Sequence, residues 1–195
     1  MSKQIWKPNT LIAPVPPAMV SCGTLASPNI ITVAWTGIIN SDPPMTYISV
    51  RPERYSHRII SESGEFVINL TTRKLVRAAD ICGVRSGRDM NKFEALSLTP
   101  LPGSTVSAPL IAEAPLSFEC HVTETKRLGS HDMFFARITA VQVEESLIDK
   151  NGKLRLDRAG LAAFAHGEYF ALGERLGTFG FSVRRKSRGG AGNAR

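Results

Sequence analysis

LSFECHVTET (Leu116–Thr125) alternates, with Phe118, Cys120 and Val122 on one face and Glu119, His121 and Thr123 on the other. A period of two marks a strand with one buried face. After the Gly129-Ser130 turn, MFFARITAVQVEE (Met133–Glu145) is apolar on both faces for most of its length. The two stretches read as a long antiparallel pair. In a mostly antiparallel protein, a strand apolar on both faces points to a closed barrel whose outer surface is also covered. The cover is either flanking helices or a second copy of the chain.

Toward the N-terminus, Ala18–Thr24, Ile30–Ile39, Met45–Arg51 and Glu65–Leu70 read as further strands. Asn40-Ser41-Asp42-Pro43-Pro44 is a dense turn signal. Arg54–Ser63 and Lys74–Ile81 read as short helices, Cys82–Asp89 as a loop and Asn91–Leu96 as a helical turn. Pro100–Pro115 is a proline-punctuated connection. Further on, Gly160–Phe170 reads as helical or turn-like, and Leu172–Phe181 is rich in Gly and aromatics. The expected organisation is a Pro-rich arm over 1–16, one domain over 17–183 and a basic, disordered tail over 184–195. The fold class expected is mainly β with short helices.

The 195 residues, 43% of them hydrophobic and 21% charged, fit one folded domain that needs no disulfide or structural metal. No apolar run approaches the ~18 residues of a membrane span. Pro14, Pro16 and Pro17 interrupt the one N-terminal stretch that imitates a secretion leader. Cys22, Cys82 and Cys120 are odd in number and far apart, which fits neither a disulfide framework nor a C-x-x-C motif. A reduced, cytoplasmic setting is expected. Of the net charge of +7, Arg184, Arg185, Lys186, Arg188 and Arg195 supply five with no acid among them, so the rest carries +2. Such a tail can touch nucleic acid or acidic lipid, but a solubilising end is the simpler expectation.

The chain has no phosphate-loop, dinucleotide, zinc-protease or nucleophile-elbow motif. Its histidines, at 57, 121, 131 and 166, lack metal-ligand spacing, and no metal site is expected. Two constellations remain. Cys82-Gly83-Val84-Arg85-Ser86-Gly87-Arg88-Asp89, with Lys92 beyond, combines glycines that let backbone amides turn inward with a hydroxyl donor and cations. Arginine grips phosphate through two parallel bonds. The same residues also suit an ordinary basic surface loop. In Asn29–Thr36, Thr32, Ala34 and Thr36 form a strip of small side chains along which a flat ring can approach the backbone. A barrel strand containing threonine looks the same.

In their order along the chain these pieces resemble the flavin reductase-like family of FMN-binding split barrels, in its flavoredoxin branch. The resemblance is carried by Ala26-Ser27-x-Asn29-x-x-Thr32-x-Ala34-Trp35, Ser41-Asp42-Pro43-Pro44, Ser49-x-Arg51-x-x-Arg54-x-Ser56 and Gly64-Glu65-Phe66-Val67-x-Asn69-Leu70. Cys82-Gly83-x-x-Ser86-Gly87-Arg88-Asp89-x-x-Lys92-Phe93 and Gly129-Ser130-His131 complete it, over residues 10–180. It implies a six-stranded Greek-key split β-barrel of the FMN-binding type and a homodimer with FMN near the interface. It places Asn29, Thr32, Ala34 and Trp35 along the flavin ring. Ser49, Arg54, Ser56, Ser86, Gly87 and Lys92 then surround the ribityl chain and phosphate, and Arg85 of the basic loop is a further candidate there. His131 matches the family histidine near the nicotinamide, but Ser130 stands where many members have Asp.

The function this implies is an FMN-dependent oxidoreductase using NADH or NADPH, with hydride passing to flavin N5 and electrons onward to free flavin, a protein or a small oxidant. That chemistry resides in the cofactor and needs no nucleophile or acid–base pair from the protein. The alternative is a flavoprotein electron carrier that never meets nicotinamide, toward which Ser130 leans. A non-enzymatic nucleic-acid binder acting through the tail ranks last, because it leaves both constellations unexplained.

Overall fold

β1 (Ala18–Thr24) and β2 (Ser27–Val33) form a hairpin in the computed structural model, which describes residues 1–183. β3 (Thr36–Ser41) and β4 (Pro44–Val50) form a second hairpin around Asp42-Pro43. α1 (Tyr55–Ser63) then lies against β1, β2 and β5 (Glu65–Asn69), its Ile60 buried in the barrel core. Gly64 ends the helix with a φ of 69°, a left-handed conformation that only glycine adopts without strain. β5 pairs with β1 rather than with the preceding β4, which makes the order a Greek key.

α2 (Val76–Val84) and α3 (Lys92–Ala95) cover the outer face of β2, burying Ala79, Cys82 and Phe93 against Met19 and Ile30. Asn91 caps α3 by accepting from the Phe93 and Glu94 amides. The following connection holds a small hairpin of β6 (Pro100–Leu101) and β7 (Leu110–Ile111). β8 (Leu116–Arg127) and β9 (Asp132–Val143) form the long antiparallel pair expected around Gly129-Ser130. β10 (Ala162–Ala165) and β11 (Glu168–Ala171) form a separate hairpin.

The sheet runs β2-β1-β5-β8-β9-β4-β3. Its two edge strands are consecutive in the chain, separated only by Ala34-Trp35. The amide of Ser49 donates to the carbonyl of Trp35 at 3.0 Å, which carries the β3–β4 ladder into that bend. Counting β2 and β3 as one broken strand, the seven strands make the six staves of a closed barrel. Ile31, Val33, Ile48, Val50, Phe66, Ile68, Cys120 and Phe134 fill it, each supplied by strand alternation. Truncating a fully buried Phe66 or Phe134 to Ala costs about 3–5 kcal/mol.

Glu119 points out of the barrel and is fully buried under the connection it holds. It accepts from the Ser104 amide (2.9 Å) and hydroxyl (2.8 Å), the Thr105 amide (2.6 Å) and hydroxyl (2.9 Å), and Gln142 Nε2 (2.7 Å). Burial works to raise its pKa, but these bonds outweigh it and bring the carboxyl down to about 2. His121 on the same face is half-covered rather than free, bonded to the Thr105 carbonyl at 3.0 Å.

Three local expectations are corrected. Ile30–Ile39 is not one strand but bends at Ala34-Trp35, where barrel closure turns the chain. Cys82–Asp89 is not all loop: α2 runs on through Cys82-Gly83-Val84, and Gly83 packs near Thr32. Gly160–Phe170 has no helix. The turn-like alternative holds instead, since His166 and Gly167 both have positive φ (51° and 86°) and fold it into a hairpin. The arm over 1–16 forms no strand or helix, and is tied down where Val15 and Phe164 exchange backbone bonds. The basic tail over 184–195 lies outside the described residues. Among the described residues no helix is long and apolar enough to cross a membrane. The outer face of β9 is only partly covered, with Met133 and Phe135 half-buried and Val141 exposed.

Candidate functional site

Two cavities meet at Ile31, Arg51 and Arg54 to form one cleft. The larger, about 490 Å³, lies where the N-terminus of α1 faces the C-terminal end of α2 and Lys92. The smaller, about 150 Å³, runs along Thr32, Val33 and Ala34 to Trp35, Ser49 and His131. A separate recess of about 220 Å³ beside Ile38, Phe118 and Ile138 is apolar, and its Thr36 and Thr46 hydroxyls are taken by the carbonyls of Tyr47 and Gly37. It has nothing with which to hold a polar ligand.

At the larger end Arg51, Arg54, Arg85, Arg88 and Lys92 face one acid, Glu53. The first amides of α1 have no partner within the helix, and the helix dipole adds partial positive charge there. No side chain caps them. Ser86 accepts from the Arg88 amide at 3.2 Å, which leaves its hydroxyl proton free to donate. This end is an anion cradle.

Gly87 fits it by contact rather than by backbone freedom. A Cβ there would collide with Asn29 Oδ1 and lie 2.8 Å from Asn29 Cγ and 3.0 Å from Tyr55 Cδ1. The loop thus presses onto β2 and α1 with no space left. Asn29, expected along the ring, lies instead at this end, buried, and donates to Ser56 Oγ at 2.7 Å. These two residues therefore build the wall rather than reach freely into the cleft.

Lys92 departs most from its sequence reading. It is 3% exposed, and its Nζ donates to the carbonyls of Ile30 (2.6 Å) and Cys82 (2.9 Å). It ties α3 to β2 and to α2. Burial lowers its pKa; the Cys82 and Cys22 thiols act the other way, and Arg54 adds to the lowering. An ammonium offers three N–H bonds, so one remains for an anion in the cleft it lines. Cys82 on the cleft floor and Cys22 beside Asn29 are pushed up to about 11 by burial, so both are thiols rather than nucleophiles.

At the smaller end the Thr32 hydroxyl donates to the Ala79 carbonyl at 2.6 Å, so Thr32 joins β2 to α2 and offers the cleft only its edge. Ser49, expected beside the ribityl chain and phosphate, is instead buried on the opposite wall of this end. Trp35 is 40% exposed, and His131 packs on it with ring centroids 4.4 Å apart and planes tilted by 36°. His131 Nδ1 lies 2.9 Å from Ser130 Oγ. Burial and then Arg51 hold the His131 pKa below its ordinary value, so the ring is neutral near neutral pH.

The structure thus brings Asn29, Thr32, Ala34, Trp35, Ser49, Arg54, Ser56, Arg85, Ser86, Gly87, Lys92 and His131 to one cleft or its wall. Sequence reasoning missed Tyr55, whose ring carries the Arg88 guanidinium at 5.6 Å, and the pair His57–Asp132. Asp132 follows His131 directly, and only the alternation of β9 could have flagged it as facing the helix. The cleft suits a ligand with a flat body at one end and a dianion at the other. Among the described residues no cluster of side chains could hold a metal ion.

Residues 12–172 match the family described as flavin reductase like domain. The chain is 34% identical to flavoredoxin of Desulfovibrio vulgaris (Miyazaki F), with a TM-score of 0.86 covering 94% of this chain and all (100%) of that one. It is 25% identical to flavoredoxin from Methanosarcina acetivorans, with a TM-score of 0.83 and the same coverage of 94% and 100%. An FMN-binding protein from Thermus thermophilus is 25% identical, with a TM-score of 0.76 over 91% of this chain and 98% of that one.

Proposed function

The chain belongs to the flavin reductase-like family, and we propose that it binds FMN in the cleft and works as an oxidoreductase that takes reducing equivalents from NADH or NADPH. The observation that carries this reading is the joining of a dianion cradle to a ring-width strip through Ile31, Arg51 and Arg54. The similarity to flavoredoxins and to an FMN-binding protein supports the choice of flavin. Bound FMN would supply the redox chemistry, taking up hydride at N5 and passing electrons on.

The protein's own part is to bind, orient and exclude water. Ser86, Arg54, Arg85, the spare N–H of Lys92 and the α1 amides hold the phosphate. β2 and Trp35 support the ring, with Ser49 opposite. His131, neutral and fixed at Nδ1 by Ser130, keeps Nε2 to hold the nicotinamide side by hydrogen bonding and ring packing. It moves no proton. Electrons then go to free flavin, a protein partner or a small oxidant. A homodimer whose interface contributes to the site belongs to the same proposal, supported by the exposed Ile38, Ile39 and Val141 on the barrel's outside. Sedimentation should show a dimer, and a micromolar monomer that retains flavin would contradict this part.

The purified protein should be yellow and release FMN on heating, at one per chain. A colourless protein that also fails to quench added FMN fluorescence would refute the reading. A second reading, an electron carrier without direct nicotinamide use, is favoured by Ser130 beside His131 and by the flavoredoxin likeness. Anaerobic mixing separates the two. NADH or NADPH bleaches bound FMN in a reductase, whereas only a reduced protein donor does so in a carrier.

A further inference from the structure

Two adjacent residues in the first turn of α1 reach in different directions. Ser56 accepts from Asn29 of β2 at 2.7 Å, and His57 Nε2 lies 2.9 Å from Asp132 Oδ2 at the start of β9. A carboxylate only accepts, so Nε2 carries the proton and donates. The pair is well shielded, its side chains 16% and 11% exposed, and the His57 ring packs edge-on to Phe134 at 5.1 Å. No side chain caps the helix start, so beyond the packing of Ile60 these two lateral bonds hold the first turn in place.

Asp132 is also the neighbour of His131. Strand alternation sends Asp132 toward α1 and His131 toward Trp35. One part-buried hydrogen bond therefore joins the helix that forms the anion cradle to the strand that carries the wall at the other end. We propose that His57 and Asp132 are positioning residues that fix the span of the cleft, and so favour a ligand that must engage both ends at once over either of its halves. This deepens the FMN reading and rests on it. FMN spans both ends, whereas riboflavin lacks the phosphate and inorganic phosphate lacks the ring. A span error penalises only the ligand whose two anchors are covalently joined, because its linker must then leave its preferred conformation to reach both ends.

The test is titration calorimetry with FMN, riboflavin and inorganic phosphate on wild-type protein, His57→Phe, His57→Gln and Asp132→Asn. Phenylalanine keeps the packing on Phe134 and removes the donor, while glutamine restores a donor. His57→Phe should weaken FMN about ten-fold, the cost of one charge-assisted bond. Riboflavin and phosphate should change less than about two-fold, and His57→Gln should recover most of the loss. Asp132→Asn keeps the shape and should show the same FMN-only pattern more weakly, which serves if the phenylalanine variant does not fold. Equal losses for FMN and riboflavin, or an unchanged FMN affinity in folded variants, would overturn the brace. Wild-type protein that binds neither flavin would overturn the FMN reading and the brace with it.

Discussion

At the anion end of the cleft, Asn29, Ser56 and Lys92 are buried, and each has polar atoms committed to a neighbour. At the ring end, Trp35 is 40% exposed and His131 touches it by ring contact alone. One end is set before a ligand arrives. The other keeps Thr32 and Ser49 in place but leaves the Trp35 ring part-exposed, with His131 tied only to its neighbour Ser130. Preorganised donors contribute affinity because little ordering remains to be done on binding. A loosely held wall contributes choice of the second reactant. Mutations at the two ends should therefore differ in kind: the first should alter binding and stability, the second mainly rates.

The largest effect that would sharpen this contrast is expected from Gly87→Ala. Its Cβ meets the Asn29 carboxamide and the Tyr55 ring, and overpacking of about 3 kcal/mol appears as a loss of FMN affinity on the order of 100-fold. Gly83→Ala is the internal control. Its Cβ would sit 3.5 Å from Thr32 Cβ in ordinary contact, within a helix, so FMN affinity should hold. Similar losses in both variants would show that the loop is not held by contact. Next comes Lys92→Met, which leaves the Ile30 and Cys82 carbonyls without their donor and should cost about 3 kcal/mol in chemical denaturation. It should also weaken FMN more than riboflavin. An unchanged stability would mean that Lys92 belongs to the ligand alone.

Glu119 lies at neither end and tests whether stability and binding separate. Its carboxyl is held near 2, below its ordinary value of 4.5, so its contribution is present above 4.5 and is lost as pH falls from there toward 2. Wild-type protein should lose on the order of 2 kcal/mol more across that window than Glu119→Gln, with FMN affinity at pH 7 the same for both. At the ring end, His131→Ala should slow nicotinamide bleaching several-fold while leaving FMN affinity within about two-fold. An affinity loss as large as that of Lys92→Met would erase the distinction between the ends.

The strands were legible wherever alternation and a turn signal agreed, as in Leu116–Thr125 before Gly129-Ser130. They were not legible at Ala34-Trp35, where no Gly or Pro marks the bend and closure of the barrel imposes it. At the cleft, Ser86-Gly87 and Lys92 stood out by residue type, but their manner of working did not. Gly87 matters through contact with Asn29, and Lys92 through two backbone carbonyls far away in sequence. His57 and Asp132 were hidden because a hydrogen bond across 75 residues leaves no local pattern. The same holds for Glu119, which looked like a solvent-facing acid because its partners come from the irregular connection around Ser104.

The seam at Ala34-Trp35 also bears on how the molecule behaves in a crowded solution. An open sheet of this order would end in two rows of unpaired amides and carbonyls, each able to template a strand from another chain. Here the two edge strands are successive segments of one bent strand, and the Ser49–Trp35 bond carries the β3–β4 ladder into that bend. Each remaining margin is therefore one short strand, of seven residues in β2 and six in β3. The bend that walls the ring end of the cleft thus also breaks the edge into pieces too short to template a long foreign strand.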